Sequence, residues 1–201
     1  VTSGHPVHFD ASANGYQHLS LLLENEKLAE YVNVIRSGDK KKDIYEIVAN
    51  KCKEYWDTGG KSRLKKYLVY LKDNKEAGID LEEIKDLVFT RAIAKQPTMT
   101  VLYGASNLED CFIGRNGKGK PKFIERKENS GKWLACWHDF SPLGMALRDL
   151  NIELLGDDSL PDKEEIEKTK QKVKHGKIIT RQVLFAKLLV LDYKDAIKNV
   201  T

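Results

Sequence analysis

Helical periodicity is the sequence feature that most restricts the fold of this chain. In residues 42–56, the side chains of Ile44, Val48, Cys52 and Tyr55 recur at the spacing of one helix face. Further helices are predicted at residues 17–24, 28–35, 62–73, 81–89, 91–103, 161–174 and 180–199. The last of these is too apolar for a surface helix, so we expect it to be largely buried or to cover a partner. The predicted fold class is mainly α with a short β element.

Two segments favour β structure instead. In residues 5–10, Val7 and Phe9 alternate with polar residues, which predicts a short strand. In residues 111–139, glycines separate the pair Phe123-Ile124 from the aromatic run 133–137. That pattern predicts a basic hairpin or an irregular insertion.

Charge and cysteine content exclude several classes of protein. The chain of 201 residues has 34 basic and 30 acidic side chains, a net charge of +4, which permits a nucleic-acid partner without requiring one. Its cysteines, Cys52, Cys111 and Cys136, are too far apart for a CxxC zinc ribbon and fit a reducing compartment. No apolar run is long enough to predict a membrane helix. Because the first residue is Val1 and not Met, we expect a piece of a longer chain.

Two short patterns resemble known sites without meeting their requirements. Residues 114–120 (GRNGKGK) match the start of a phosphate-binding P-loop, but Pro121 stands where a magnesium-binding Ser or Thr is needed. Four residues of metal-ligand type lie near the start of the chain: His5, His8, Asp10 and His18. Because they span a predicted strand and a turn, their side chains should diverge, and we expect no zinc site.

The first segment with chemical potential begins at Asp10. This aspartate ends the predicted strand and is followed by small residues as far as Gly15. A carboxylate exposed at a sheet edge can bind a hard cation such as Mg²⁺. The alternative is that Asp10 or Ser12 caps the following helix, and the residues alone leave both interpretations open.

The second segment is residues 90–104. Arg91, Lys95, Met99 and Tyr103 are successive i, i+4 neighbours, which on a helix form one ridge roughly 18 Å long. Two cations suit a polyphosphate, and an aromatic ring can stack on a base or sugar. The alternative is a basic surface helix whose tyrosine packs at its end. Pro97 lies inside this helix and predicts a kink.

Together the two segments resemble motifs A and B of the single-subunit, bacteriophage-type DNA-dependent RNA polymerases, whose relatives transcribe mitochondrial genomes and plasmids. The first fits the pattern DxSxxGxQH and the second RxxxKxxxMTxxYG. Between them, VNV at residues 32–34 and DIYEIVA at 43–49 resemble the family's VNL and DIYxIVA stretches. The resemblance covers residues 6–106, and no motif is recognised from Asn107 onward.

This resemblance implies two parts of a right-hand polymerase. Residues 1–24 would be the palm edge with motif A. Residues 25–201 would be a fingers-type helical subdomain, which includes motif B at 90–104 and the basic insertion at 111–139. The implied partners are a DNA template, nascent RNA, ribonucleoside triphosphates and the rest of the polymerase chain, with no membrane. The implied location is the mitochondrion or, alternatively, the cytoplasm of a phage-infected host.

Family-A DNA polymerases are the nearest rival, since they share the RxxxK…YG helix. Their motif A has a glutamate five residues after the aspartate, which blocks a ribose 2′-hydroxyl. This chain has Gly15 at that position, and it has Met99 where those enzymes have phenylalanine. Both differences favour RNA synthesis.

The resemblance also implies roles for individual residues. Asp10 would bind the catalytic Mg²⁺ with help from the Ala11 carbonyl. Arg91 and Lys95 would hold the triphosphate, and Lys95 would also assist departure of pyrophosphate. The nucleotide site would be completed by four further residues: Gly15, Tyr45, Tyr103 and Gly104.

The family also needs a second aspartate, in a later motif C. His138-Asp139 lies only 35 residues after Tyr103 and lacks a preceding apolar strand, so it does not match. We therefore expect a polymerase fragment that is inactive alone. The remaining alternative is a non-catalytic nucleic-acid-binding module that retains polymerase motifs.

Overall fold

The computed structural model describes residues 13–36, 38, 40–75, 78–104, 123–125, 133–135, 142–155, 159–170, 177–178 and 180–201. Most of them are helical, as the sequence predicts. The helices are α1 (Asn14–Leu22), α2 (Glu26–Tyr31), α3 (Ile44–Asp57), α4 (Arg63–Lys75), α5 (Leu81–Val88), α6 (Arg91–Leu102), α7 (Pro142–Asp149), α8 (Lys163–Thr169) and α9 (Arg181–Val200). A short 3₁₀ turn spans Glu153–Leu155.

Helix α9 forms the centre of the core, which confirms the prediction of a largely buried helix at this position. It packs against α3, α4 and α6. Its Tyr193 meets the ring of Phe89 edge-on at 5.9 Å between centroids, and Phe89 meets Trp56 in the same way at 5.6 Å. The Tyr193 hydroxyl donates a 2.8 Å hydrogen bond to the carbonyl of Val88, so the buried phenol is satisfied.

Local side chains fix where several helices begin. Asp80 accepts hydrogen bonds from the backbone N–H groups of Glu82 and Glu83 at the start of α5. Thr90 accepts one from Ile93 at the start of α6. Both residues stand where the sequence predicts an N-cap, because Asp and Thr satisfy N–H groups that the helix itself leaves unpaired.

Two predicted helices end earlier than their periodicity suggests. The helix predicted at 28–35 ends at Tyr31, because Asn33 adopts a left-handed conformation with φ 60° and exchanges two hydrogen bonds with the backbone of Lys42. The helix predicted at 161–174 ends at Thr169, where Lys170 has φ 53°. Helix α7 was not predicted from the sequence.

The described strands are short. β1 (Phe123–Glu125) pairs antiparallel with β2 (Trp133–Ala135), within the segment where the sequence predicts a hairpin or insertion, and β3 (Lys177–Ile178) runs parallel to β2. The strand predicted at residues 5–10, the P-loop-like residues 114–120 and His138-Asp139 lie outside the described residues. Within the part of the chain that is described, no helix is both long and apolar enough to cross a membrane.

Candidate functional site

Helix α6 has one exposed and one buried face. Ile93, Ala94, Pro97 and Thr98 are buried against the core. The exposed face carries the four residues of the predicted ridge, Arg91, Lys95, Met99 and Tyr103. Tyr103 is 76% exposed, so it does not pack at the helix end as the alternative interpretation required.

A cleft of about 210 Å³ opens beside the last turn of α6. Its walls come from three separate parts of the sequence: Ala13, Asn14, Gly15 and Tyr16 around the start of α1, Tyr45 of α3, and Met99, Leu102 and Tyr103 at the end of α6. Three residues that the resemblance places at a nucleotide, Gly15, Tyr45 and Tyr103, therefore line one cavity. Gly104 follows directly and has φ 74°, a conformation that glycine adopts without strain at a helix end.

Gly15 allows α1 and α6 to approach closely. A Cβ atom placed on Gly15 would lie 1.9 Å from Cδ2 and 3.2 Å from Cγ of Leu102. The first distance is far below van der Waals contact, so a side chain at this position would require the Leu102 side chain to shift. The glycine therefore has a packing reason in addition to the sugar-related one inferred from the sequence.

Arg91 is held in place by residues of α3. Its Nε donates a 2.5 Å hydrogen bond to Asp43, and its guanidinium lies 5.6 Å from the centroid of the Tyr45 ring. The other oxygen of Asp43 caps α3 by accepting from the N–H of Tyr45 at 2.9 Å. These side chains border a small pocket of about 70 Å³ next to the main cleft.

Lys95 lies between Arg91 and Met99 on the same exposed face. Among the residues that the structure describes, no hydrogen bond or ion pair holds its ammonium group. A flexible, solvated cation in this position is free to contact an anionic ligand that lies along the ridge.

Tyr45 is almost fully buried and keeps its proton. Burial raises the pKa of its phenol, the negative charge of Asp43 raises it further, and the positive charge of Arg91 opposes both. The side chain therefore presents a neutral ring and a hydroxyl to the cleft at physiological pH.

The residues assigned to magnesium, Asp10 and Ala11, lie outside the described residues. Within the described ranges, no group of three or more His, Cys, Asp or Glu side chains is arranged to hold a metal ion.

Sequence reasoning missed three residues that shape this site: Asp43, Tyr16 and Leu102. Asp43 precedes an amphipathic stretch, so its capping role was detectable, but its partner Arg91 is 48 positions away. Tyr16 and Leu102 gave no signal at all, because their contacts depend entirely on how α1 packs against α6.

A second and larger cleft of about 490 Å³ lies between α4, α8 and α9. None of the residues predicted to be functional lines it. Its described walls are Arg63, Lys66, Tyr67, Tyr70, Lys168, Thr169, Lys170, Leu188 and Leu191. The cleft at α6 is thus distinguished by the residues that converge on it and not by its size.

Comparisons with known proteins identify the family of the chain. The family model described as DNA-dependent RNA polymerase matches residues 1–112, more than half of the chain. The chain belongs to this family, and its relatives include phage and mitochondrial RNA polymerases. No solved structure matches it.

Three relatives illustrate the range of the similarity. The DNA-directed RNA polymerase of Pseudomonas phage phiKMV is 32% identical over 52% of this chain and 12% of its own length. A probable DNA-directed RNA polymerase of Podospora anserina is 28% identical over 97% of this chain and 17% of its own. The mitochondrial DNA-directed RNA polymerase of Mus musculus is 32% identical over 50% of this chain and 7% of its own. The chain thus spans less than a fifth of each relative's length.

Proposed function

We propose that this chain is the nucleotide-binding part of a DNA-directed RNA polymerase, with the palm edge at residues 1–24 and a fingers-type subdomain at 25–201. It would act with the rest of the polymerase chain on a DNA template, nascent RNA and ribonucleoside triphosphates. The observation that carries the proposal is the exposed ridge of α6, which runs beside a cleft lined by Gly15 and Tyr45. The named relatives support a mitochondrial location, with a phage-infected host as the alternative.

The first half of the ridge would bind the triphosphate. Arg91 offers a planar fork of donors whose orientation is already fixed by Asp43 and Tyr45. Lys95, one turn further, adds a mobile point charge that can follow the phosphates and neutralise the leaving pyrophosphate. Because Arg91 is already paired, an incoming phosphate would share or replace the Asp43 contact.

The second half of the ridge would contact the sugar and the base. Tyr103 is exposed beside the cleft and can stack against the nascent base pair, while its hydroxyl can sense the sugar. Gly15, on the opposite wall, presents no side chain to the sugar. Gly104 would let the backbone turn away directly after Tyr103, which leaves room for the template.

The reaction would be in-line attack of an RNA 3′-hydroxyl on the α-phosphate of the nucleotide. Mg²⁺, bound by the carboxylate of Asp10 with the Ala11 carbonyl, would stabilise the attacking and leaving oxygens. The described side chains would serve this step by binding and orienting the triphosphate against the growing pair.

The family-A DNA polymerase alternative is less compatible with the packing of this chain. A glutamate at position 15 would start from a Cβ that already collides with Leu102. A longer acidic side chain there would require the Leu102 side chain to move out of its present position. The other alternative, a non-catalytic nucleic-acid-binding module, would carry the same motifs. Only a measurement of polymerase activity distinguishes it from a polymerase.

Templated primer extension by the full-length polymerase tests the proposed function. We expect Asp10→Asn to nearly abolish RNA synthesis while leaving DNA binding almost unchanged, because a neutral amide keeps the shape but binds Mg²⁺ weakly. Asp73→Asn, an exposed residue of α4, is the matched control and should be as active as wild type. The 201-residue chain alone should make no product, because no second motif aspartate is identified in it. An Asp10→Asn enzyme that keeps more than about a tenth of the wild-type rate, a loss under roughly 1.4 kcal/mol, contradicts the proposal.

A further inference from the structure

Tyr16 makes a buried contact that joins the two motif-bearing helices. Its hydroxyl donates a 2.7 Å hydrogen bond to the backbone carbonyl of Thr98, 82 positions away in the sequence. Tyr16 is 2% exposed and Thr98 is fully buried, so water does not compete for this bond. Burial raises the pKa of the Tyr16 phenol well above its ordinary range, and nearby Tyr45 adds to the rise. The hydroxyl therefore keeps its proton and remains a donor.

The acceptor lies one residue after Pro97, where α6 has lost one backbone hydrogen bond. Pro97 has no N–H group, so the helix lacks the bond from residue 97 to the carbonyl of Ile93. Inside the helix, the hydroxyls of Thr98 and Thr100 bridge this point by donating to the carbonyls of Ala94 and Gln96, at 2.7 and 2.8 Å. The turns that follow carry Met99 and Tyr103. The Tyr16 hydroxyl adds a contact from outside the helix, to the carbonyl of Thr98, the residue after this proline.

A second contact fixes the same pair of helices one turn later. A Cβ on Gly15 would lie 1.9 Å from Cδ2 of Leu102, so a side chain here would require Leu102 to shift. Tyr16 and Gly15 are neighbours in α1, and both line the cleft whose far wall is formed by Met99 and Tyr103. Two contacts therefore join α1 and α6 beside the cleft: the hydrogen bond to Thr98 and the close packing at Leu102.

We propose that Tyr16 is a positioning residue for nucleotide binding: through the carbonyl of Thr98 it fixes the second half of α6 against α1 and so sets the width of the nucleotide cleft. This inference rests on the proposed function of the same site. Tyr16 does not contact the reacting atoms. By fixing the position of α6, it also fixes Tyr103, the residue proposed to contact the sugar.

The test compares two tyrosines that make equivalent bonds in different places. In the full-length polymerase, Tyr16→Phe removes the bond to Thr98, whereas Tyr193→Phe removes a buried 2.8 Å bond to the carbonyl of Val88 in the core. Both variants lose one buried tyrosine–carbonyl hydrogen bond and should lose similar thermal stability. The decisive readouts are KM and kcat for matched ribo- and deoxyribonucleotides.

We expect Tyr16→Phe to raise KM for all four ribonucleotides about three- to tenfold and to reduce the preference for ribose, as a loss of one net hydrogen bond allows. Tyr193→Phe should leave both quantities at wild-type values. Equal KM values and equal sugar preference in the two variants overturn the inference. A wild-type enzyme that makes no RNA overturns the proposed function itself, and the inference with it.

A second variant covers the case in which Tyr16→Phe does not fold. Leu102→Ala loosens the other contact between α1 and α6 and retains the Tyr16 bond. It should likewise raise KM and weaken the sugar preference, because the same cleft widens. Unchanged nucleotide kinetics in Leu102→Ala would contradict control of cleft width by these contacts.

Discussion

At the scale of single residues, two explanations apply to Gly15, one from the resemblance and one from packing. The resemblance explains this glycine by the absence of a side chain that blocks a ribose 2′-hydroxyl. The structure adds that a Cβ here would collide with the tip of the Leu102 side chain, which would have to move. Replacement of the glycine should therefore change the free energy of unfolding, whether or not a nucleotide is bound.

We expect Gly15→Ala to destabilise the chain by about 1 kcal/mol. Overpacking of this kind costs roughly 1–3 kcal/mol, and the higher helix propensity of alanine offsets about 0.5–1 kcal/mol. Urea unfolding provides the measurement. In a Leu102→Ala background the same substitution should be neutral or stabilising, because the collision is gone.

Gly78→Ala is the control for that experiment. An added Cβ at Gly78 meets nothing within 4 Å, so the change should be neutral or stabilising by up to about 1 kcal/mol. If Gly15→Ala is no worse than Gly78→Ala, the close approach of α1 and α6 is not a constraint.

The ridge of α6 could be predicted from the sequence, while its partners could not. Arg91, Lys95 and Tyr103 are related by helical spacing alone, so the shared face follows from local geometry. The Arg91–Asp43 pair and the Tyr16–Thr98 bond join positions 48 and 82 residues apart. Such contacts depend on how helices pack, and a periodic pattern carries no information about that.

At the scale of elements, helix starts were easier to predict than helix ends. Asp80 and Thr90 cap helices through side chains that are visible in the sequence. The ends after α2 and α8 are made by Asn33 and Lys170 in left-handed conformations. Lysine is common inside helices, so Lys170 gave no local signal of an end. Asn33 is of a type that favours left-handed helix ends, but the apolar residues after it continued the helical pattern.

Buried polar side chains from distant elements also fix the helices. Asp192 of α9 accepts hydrogen bonds from the Ser62 hydroxyl and from the backbone of Arg63 at the start of α4. Glu165 of α8 accepts two 2.8 Å hydrogen bonds from Arg181 of α9 and one of 3.1 Å from Tyr67 of α4. These groups join α4, α8 and α9 into one unit.

The Glu165 network should make stability depend on pH. Burial acts to raise the pKa of Glu165, but hydrogen bonds from Arg181, Tyr67 and the backbone of Asp162 outweigh it and lower the pKa below its ordinary value. A carboxyl with a lowered folded-state pKa stabilises the fold above its unfolded pKa of about 4.5. That contribution is lost as the pH falls through the folded-state pKa.

We therefore expect Glu165→Gln to destabilise the chain by about 2–3 kcal/mol at pH 7, because it leaves Arg181 without its buried counter-charge. The difference from wild type should shrink as the pH falls below about 4.5. Denaturant unfolding at several pH values measures it, with the exposed Glu167→Gln as control. A difference that stays constant down to the acid transition would show that Glu165 is not ionised in the fold.

At the scale of the whole molecule, the buried core and the candidate site lie on different faces of the same helices. The α9-centred core holds α3 and α6 in place, and the ridge of α6 lies on the outer surface beside the cleft. The helical class and the family could be predicted from the sequence, because both depend on patterns within continuous segments. The cleft itself could not, since three segments from residues 13 to 103 must meet to form it.

The most direct test of the central claim is kcat/KM for matched ribo- and deoxyribonucleotides in the full-length polymerase, for wild type, Lys95→Ala and Tyr103→Phe. Lys95→Ala should lower kcat/KM for all four ribonucleotides alike, by an amount corresponding to about 2–5 kcal/mol, because every triphosphate is the same. Tyr103→Phe keeps the stacking ring, so ribonucleotide use should fall little while relative use of deoxyribonucleotides rises. If Tyr103→Phe leaves the sugar preference unchanged, or Lys95→Ala alters it as strongly, the assignment of phosphate and sugar roles along α6 is wrong.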